Sequence, residues 1–326
     1  MTIGLLRRHI SAAALLVIVL GVSPFVVGRP FWTDLTVMIG IFSLFALSAG
    51  IAYGQAGIPS IATGTFAAIG AYGTAIVTTE LNWSPFVGLA IALIAPALVA
   101  YPLARLVTRL SPLPLSLATF ALSGAAEIGI RAGGSITGAY VGIVGIPPVP
   151  GASSAEAMYF LTWLLIVVAV FVSTNLIHSS YGRAVNTARH DALRATADGA
   201  NVARLLAGFL SFSASIAGLG GWLYAHYITY LSPESLNTNL AISALLMAVV
   251  GGPQTVIGPI IGAVLLLVLN NFLPAAQTQG MVYGAVLVGA LILAPKGFMG
   301  VVETFVTARH RRTRGVTGHA GAETAS

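Results

Sequence analysis

Apolar runs of membrane-spanning length, each closed by a short polar or glycine-rich interruption, repeat along nearly the whole chain. Residues 10–27 and 158–177 contain no Asp, Glu, Lys or Arg, and 85–107 contains only Arg105, near its end. A hydrocarbon core about 30 Å thick is crossed by a helix of roughly 20 apolar residues. Lipid offers backbone groups no hydrogen-bond partner, so such runs fold as helices. The pattern predicts ten crossings, near 10–27, 35–53, 60–78, 85–107, 112–130, 158–178, 205–228, 239–251, 256–272 and 280–295. The eighth and ninth, on either side of Gly251-Gly252-Pro253, are short enough to be half-helices. The expected fold is all-α, a polytopic transmembrane helical bundle of about 8–10 spans with broken or half helices included. Residues 1–9 form a short lead, 10–300 one transmembrane domain, and 301–326 a polar tail expected to be disordered.

Composition supports this pattern. Charged residues make up 7% of the 326 positions and hydrophobic ones 57%, too few charges to cover a water-soluble surface. The absence of cysteine excludes disulfides, thiol catalysis and thiolate metal sites. The pI of about 9.9 comes from cations scattered at span ends, which read as topology signals rather than as a phosphate-binding patch. Arg7 and Arg8 precede the first run as in a signal peptide. That run is long for such a segment, however, and Gly28-Arg29-Pro30 is a poor cleavage site, so a retained first helix is preferred.

An even number of crossings puts both termini on one side. That side collects Arg7, Arg8, Arg105, Arg109, Arg183, Arg189, Arg194, Arg204, Lys296, Arg309, Arg311, Arg312 and Arg314, and leaves Arg29 and Arg131 opposite. By the positive-inside rule, both termini are expected in the cytoplasm.

Two glycine- and proline-rich segments interrupt the helical pattern. One is Gly54-Gln55-Ala56-Gly57-Ile58-Pro59-Ser60, followed by Thr63; the other runs from Gly251-Gly252-Pro253 to Gly258-Pro259. Paired interruptions in the two halves of a transporter point to a substrate path, which makes Gly54, Gly57, Ser60, Thr63, Gly251, Gly252 and Gly258 pathway candidates. Two ordinary turns on the cytoplasmic side remain the other reading. The Gly50–Gly54 and Gly258–Gly262 pairs allow close backbone approach, within the bundle or between subunits.

The sizeable polar stretch inside the hydrophobic body is 179–204, expected in the cytoplasm. Its alanines 184, 188, 192 and 195 recur at helical spacing beside Arg183, Asp191 and Arg194, and Gly199 is a plausible helix stop. A short helix with a small-residue face can lie in a groove of a partner protein, and a solvated connector is the alternative. Glu127 and Arg131, four apart near the outer end of the fifth span, are expected to form a structural ion pair. His226, among Trp222, Tyr224 and Tyr227, reads as packing in an interfacial aromatic belt. The chain has no phosphate-binding loop and no H-E-x-x-H pair. With no carboxylate–histidine cluster in the spans, uphill transport would draw its energy from a partner.

Four stretches together resemble the inner-membrane permeases of branched-chain amino acid ABC transporters, most closely the M-type family. They are Gly54-x-x-Gly57-x-x-Ser60 with Phe66-Ala67-Ala68-Ile69-Gly70-Ala71-Tyr72; Thr137-Gly138-Ala139-Tyr140 through Gly145-Ile146-Pro147; Tyr181-Gly182-Arg183-Ala184 through Gly199-Ala200-Asn201; and Leu223-Tyr224-Ala225-His226-Tyr227 with Ser232-Pro233-Glu234-Ser235, Gly251-Gly252 and Gly258-Pro259. The resemblance implies a non-catalytic subunit in the cell inner membrane, carrying branched-chain or related small amino acids. It also implies a second homologous permease, a periplasmic or extracellular substrate-binding protein, and two cytoplasmic ATPase subunits. ATP and Mg would sit on those ATPases and no cofactor on this chain. Loop 179–204 would be the ATPase-coupling loop, with Arg183, Ala188, Asp191, Ala192, Ala195 and Gly199 as its candidate residues, and 132–157 an external loop. Ala62, Thr63, Ala139 and Thr196 depart from the family's usual residues. Permeases for urea, short amides or a sugar share this architecture. An ion-coupled secondary transporter and a membrane enzyme are the readings from other classes.

Overall fold

Prolines mark where several spans begin. In this computed structural model, which describes residues 2–107 and 110–271 together with Gly289, Phe298 and Gly300, α2 (Pro30–Gly50), α4 (Pro85–Val107) and α5 (Pro112–Ala132) each start on a proline. At the first helical position the missing N–H costs nothing and the fixed φ suits the turn. Polar caps open others. Ser154 accepts from Ala157 N at α7 (Ala155–His178), and Asn201 from Arg204 N at α10 (Val202–Ile228).

Elements α1 (Thr2–Val26), α3 (Thr63–Thr79), the short α6 (Gly134–Thr137), α8 (Ser180–His190), α9 (Ala192–Ala197), α11 (Thr238–Gly251) and α12 (Gly258–Asn271) complete the described helices. Five of the described helices, α2, α4, α5, α7 and α10, are long and apolar enough to cross a membrane. The chain is thus a helical polytopic membrane protein. The half-helices expected around Gly251 are α11 and α12. The crossing expected at 280–295, the tail 301–326, Lys296, Arg109 and the tail arginines lie outside the described residues.

The centre is α2, 78% buried along its apolar stretch and packed with α12, α7, α10 and α11, while α10 in turn packs on α4 and α3. Close approach relies on glycine: at Gly70 and Gly221 a side chain would collide with the backbone of Gly218 and Ala67. Ser48 and Ser213 lock α2 to α10 reciprocally, each hydroxyl donating to the other residue's carbonyl at 2.8 Å. Both glycine pairs of the sequence serve this internal packing. Gly50 lies against Pro259, and Gly262 against the Met247 carbonyl.

The basic end of the bundle carries Arg105, Arg183, Arg189, Arg194 and Arg204, and Arg29 and Arg131 lie at the opposite end. There β1 (Ile143–Val144) pairs antiparallel with β2 (Tyr230–Leu231), Ile143 facing Leu231. His226 is 2% exposed and ties three segments together. Its Nδ1 lies 2.7 Å from Pro147 O and its Nε2 3.0 Å from Thr74 Oγ1. The carbonyl can only accept, so Nδ1 carries a proton. His226 is a packing residue, as the sequence suggests. Arg131 Nη2 meets Glu127 Oε1 at 2.6 Å and Glu234 at 3.6 Å, and its guanidinium lies 5.8 Å from the Tyr140 ring. The expected pair therefore widens into a clasp between α5 and the loop after β2.

Candidate functional site

The first interruption begins where α2 ends, because Ile51–Gln55 continue it as a π-helical turn. Such bulges recur at functional sites. Gly57, at φ 70°, turns the chain back, and 58–62 re-enters the bundle without helical structure until α3 starts at Thr63. Ile61 lies beside the middle of α5. Its N–H donates to Thr119 Oγ1 at 3.0 Å, and its carbonyl accepts from Ser123 Oγ at 2.6 Å. Thr65 Oγ1 donates to Ser123 Oγ at 3.1 Å. Two hydroxyls of α5 thus satisfy backbone that has left the helix, as a non-aqueous interior requires. Ser60 Oγ accepts from Ala62 N, and both Ser60 and Thr63 are buried.

Past β2, the chain reaches Leu236 and Asn237 beside Gly64, where a side chain would overlap the Asn237 carbonyl. The Asn237 amide oxygen accepts from Asn239 N and Leu240 N and starts α11. The N-termini of α3 and α11 therefore lie side by side inside the bundle, and the helices run apart to opposite ends. Helix α11 ends at the second interruption, where Gly252 has φ 109°. At Gly251 and Gly258 a side chain would strike the backbone of Gly258 and Gly252, so only glycines close this turn.

Of the sequence-derived pathway residues, Gly54, Gly57, Gly251, Gly252 and Gly258 gather at the basic end, and Ser60 and Thr63 lie deeper. Gly54 packs on the Pro253 carbonyl, and Gln55 Nε2 donates to Gln254 O at 2.8 Å, so the two interruptions touch. Thr65, Thr119, Ser123 and Asn237 were not singled out from sequence. The signal was there for α5, since Ser116, Thr119, Ser123, Glu127 and Arg131 recur every three or four residues, one polar stripe on an apolar span.

The polar stretch 179–204 folds as two helices rather than as one. Asp191, extended at φ −151°, ends α8 and caps α9 by accepting from Arg194 N at 2.9 Å. Its carboxylate competes for backbone N–H groups that a continuous helix would use. The alanines consequently do not share one outward face. Ala188 and Ala195 are buried toward the bundle, whereas Ala192 is exposed. Leu193, 85% exposed, is the large apolar side chain that α9 presents outward. Arg183 Nη1 donates to His178 O at 2.9 Å at the end of α7, and Gly199, at φ 83°, follows the end of α9. Tyr181 OH donates to Leu205 O at 2.6 Å, and burial pushes its phenol pKa up, which keeps the proton in place. A polar recess of about 320 Å³ opens along this pair, lined by Asn186, Thr187, His190, Asp191, Arg194 and Asp198. Among the described residues, no group of three or more His, Asp or Glu could hold a metal ion.

Known proteins share this sequence pattern. The family described as branched-chain amino acid transport system / permease component matches residues 31–294. The chain is 26% identical over 321 residues to the high-affinity branched-chain amino acid transport system permease protein LivM of Salmonella typhimurium, covering 90% of this chain and 75% of that protein. It is 25% identical over 322 residues to LivM of Escherichia coli K12, with the same coverage. No solved structure matches the chain significantly.

Proposed function

The chain belongs to the branched-chain amino acid transport permease family, and from that premise we propose that it is the transmembrane permease subunit of an ATP-driven importer. It forms half of a translocation pathway for branched-chain or related small amino acids in the cell inner membrane, with both termini cytoplasmic. The observation that carries this reading is the pair of interruptions. They touch at the basic end, where α8 and α9 pack, and the first runs from there to the α5 hydroxyls in mid-bundle. Irregular backbone at membrane depth belongs beside a cavity or pathway. The adjacent N-termini of α3 and α11 give that region the polarity that favours a carboxylate.

Chemistry is left to partners. Two cytoplasmic ATPases bind ATP and Mg and dock on α8 and α9, engaging Leu193 and the recess around Asn186 and Asp191. A second homologous permease closes the pathway on the side of α5, and an external binding protein delivers substrate. ATP binding shifts the assembly between inward- and outward-facing states through differential contacts with the ATPases.

The test is uptake into proteoliposomes holding the permeases and ATPases. Leucine accumulation that needs both lumenal ATP and the binding protein is the expected result. Uptake by this chain alone on an ion gradient would identify a secondary carrier. ATP-dependent uptake of urea, acetamide or a sugar but not leucine would keep the architecture and reassign the substrate.

A further inference from the structure

Arg189, in the last turn of α8, reaches both interruptions at once. Its Nη1 donates to the carbonyl of Gly54, at the end of the π-helical turn of α2, and to Gln254 Oε1 in the α11–α12 turn at 3.1 Å. Its aliphatic stem covers Gly57, where an added Cβ would lie 2.9 Å from Arg189 Cγ. Gln254 in turn accepts through its backbone carbonyl from Gln55 Nε2, closing a ring of contacts among α8, the end of α2 and the α11–α12 turn. A guanidinium suits this place, because a helix C-terminus exposes unpaired carbonyls and attracts a cation. Its planar fork also directs several donors at once.

The far ends of the segments held by Arg189 are Ile61, beside Thr119 and Ser123, and α11, which starts at Asn237 beside Gly64. We propose that Arg189 is a positioning residue, the link through which displacement of α8 is transmitted to both broken segments together. The inference rests on the reading of α8 and α9 as the ATPase docking helices. A face of α8 buried through Gly182, Val185 and Ala188 carries the helix as a body on the bundle, and Arg189 converts its movement into a pull on two backbones. Charge-assisted bonds to a buried carbonyl and a neighbouring amide are stiff enough for this role.

Hydrogen–deuterium exchange on the purified permease–ATPase complex, with and without a non-hydrolysable ATP analogue, tests the link without knowledge of the substrate. In the wild type, the analogue is expected to change exchange in 180–197 and also in 51–62 and 252–257, by about fivefold or more, the low end of coupling between sites. In Arg189→Ala the change in 180–197 persists, and the changes in both broken segments are lost together. Gln254→Ala, which keeps the backbone carbonyl for Gln55, loses mainly the change in 252–257, and adding it to Arg189→Ala has no further effect. Undiminished responses in both segments of Arg189→Ala would overturn the proposal. So would failure of that variant to bind the ATPases while its thermal stability is unchanged, since Arg189 would then be a docking contact. If 180–197 of the wild type does not respond to ATPase binding at all, the docking reading fails instead. Arg189→Lys, which keeps the charge without the fork, is expected to retain part of the response.

Discussion

Gly64 has no side chain because Asn237 leaves it no room, and that single contact joins the start of α3 to the start of α11. Gly64→Ala forces two backbones apart and is expected to cost about 1–3 kcal/mol, the range for overpacked interiors. Gly21, also in a helix but with nothing within 4 Å of an added Cβ, provides the contrast. Gly21→Ala should hold or raise stability, by up to about 1 kcal/mol from helix propensity. Thermal unfolding in detergent, followed by size exclusion, separates the two. Ser123→Ala leaves the Ile61 carbonyl without its hydroxyl donor and Thr65 without its acceptor, at an expected cost of about 1–3 kcal/mol. Ser116→Ala removes only a bond to the Leu113 carbonyl in its own turn and should be nearly silent in the same measurement. These side chains were partly legible in the sequence as a polar stripe. Their partners, about sixty residues earlier in the chain, were not.

At the scale of elements, α9 shows what a spacing argument misses. Four alanines at helical intervals predict one smooth face, yet Asp191 stops one helix and starts the next, and the register rotates across the break. Ala195 is 2% exposed, so a charged residue there disrupts packing, whereas Leu193 stands in solvent. Leu193→Asp is expected to shift stability by no more than about 0.5 kcal/mol, as surface changes usually do. It should nevertheless abolish copurification with the ATPases. Copurification at the wild-type level would show that they dock elsewhere. The half-helices α11 and α12 were legible because glycine and proline punctuate them. The re-entry of 58–62 was not, because an extended run of Ile, Pro, Ser and Ala reads equally as a turn.

For the whole molecule, α5 is the least enclosed of the long spans, with 17% of its window buried against 78% for α2. Its Thr119 and Ser123 face inward to the first interruption, and another face exposes Ala121, Ala125 and Gly129 at four-residue spacing, with Phe120 and Ile128 also exposed. Small residues so spaced let a second helix approach closely. Ala125→Trp is therefore expected to prevent pairing with the second permease and leave the monomer's thermal stability unchanged. Native mass spectrometry of the coexpressed subunits reads the outcome, and an intact pair would place the interface on another face.

The order and length of the apolar runs, and the sides to which arginines fall, were decided by the sequence alone. Lipid imposes a length on every crossing, and charges stay out of it, so those features need no partner elsewhere in the chain. What the interruptions do was decided only by the tertiary structure. A glycine permits a break without saying which hydroxyl, carbonyl or guanidinium will meet the freed backbone. For Ile61 and Gly54 those partners come from α5 and from Arg189, 58 and 135 residues away along the chain, and only folding brings them within a hydrogen bond.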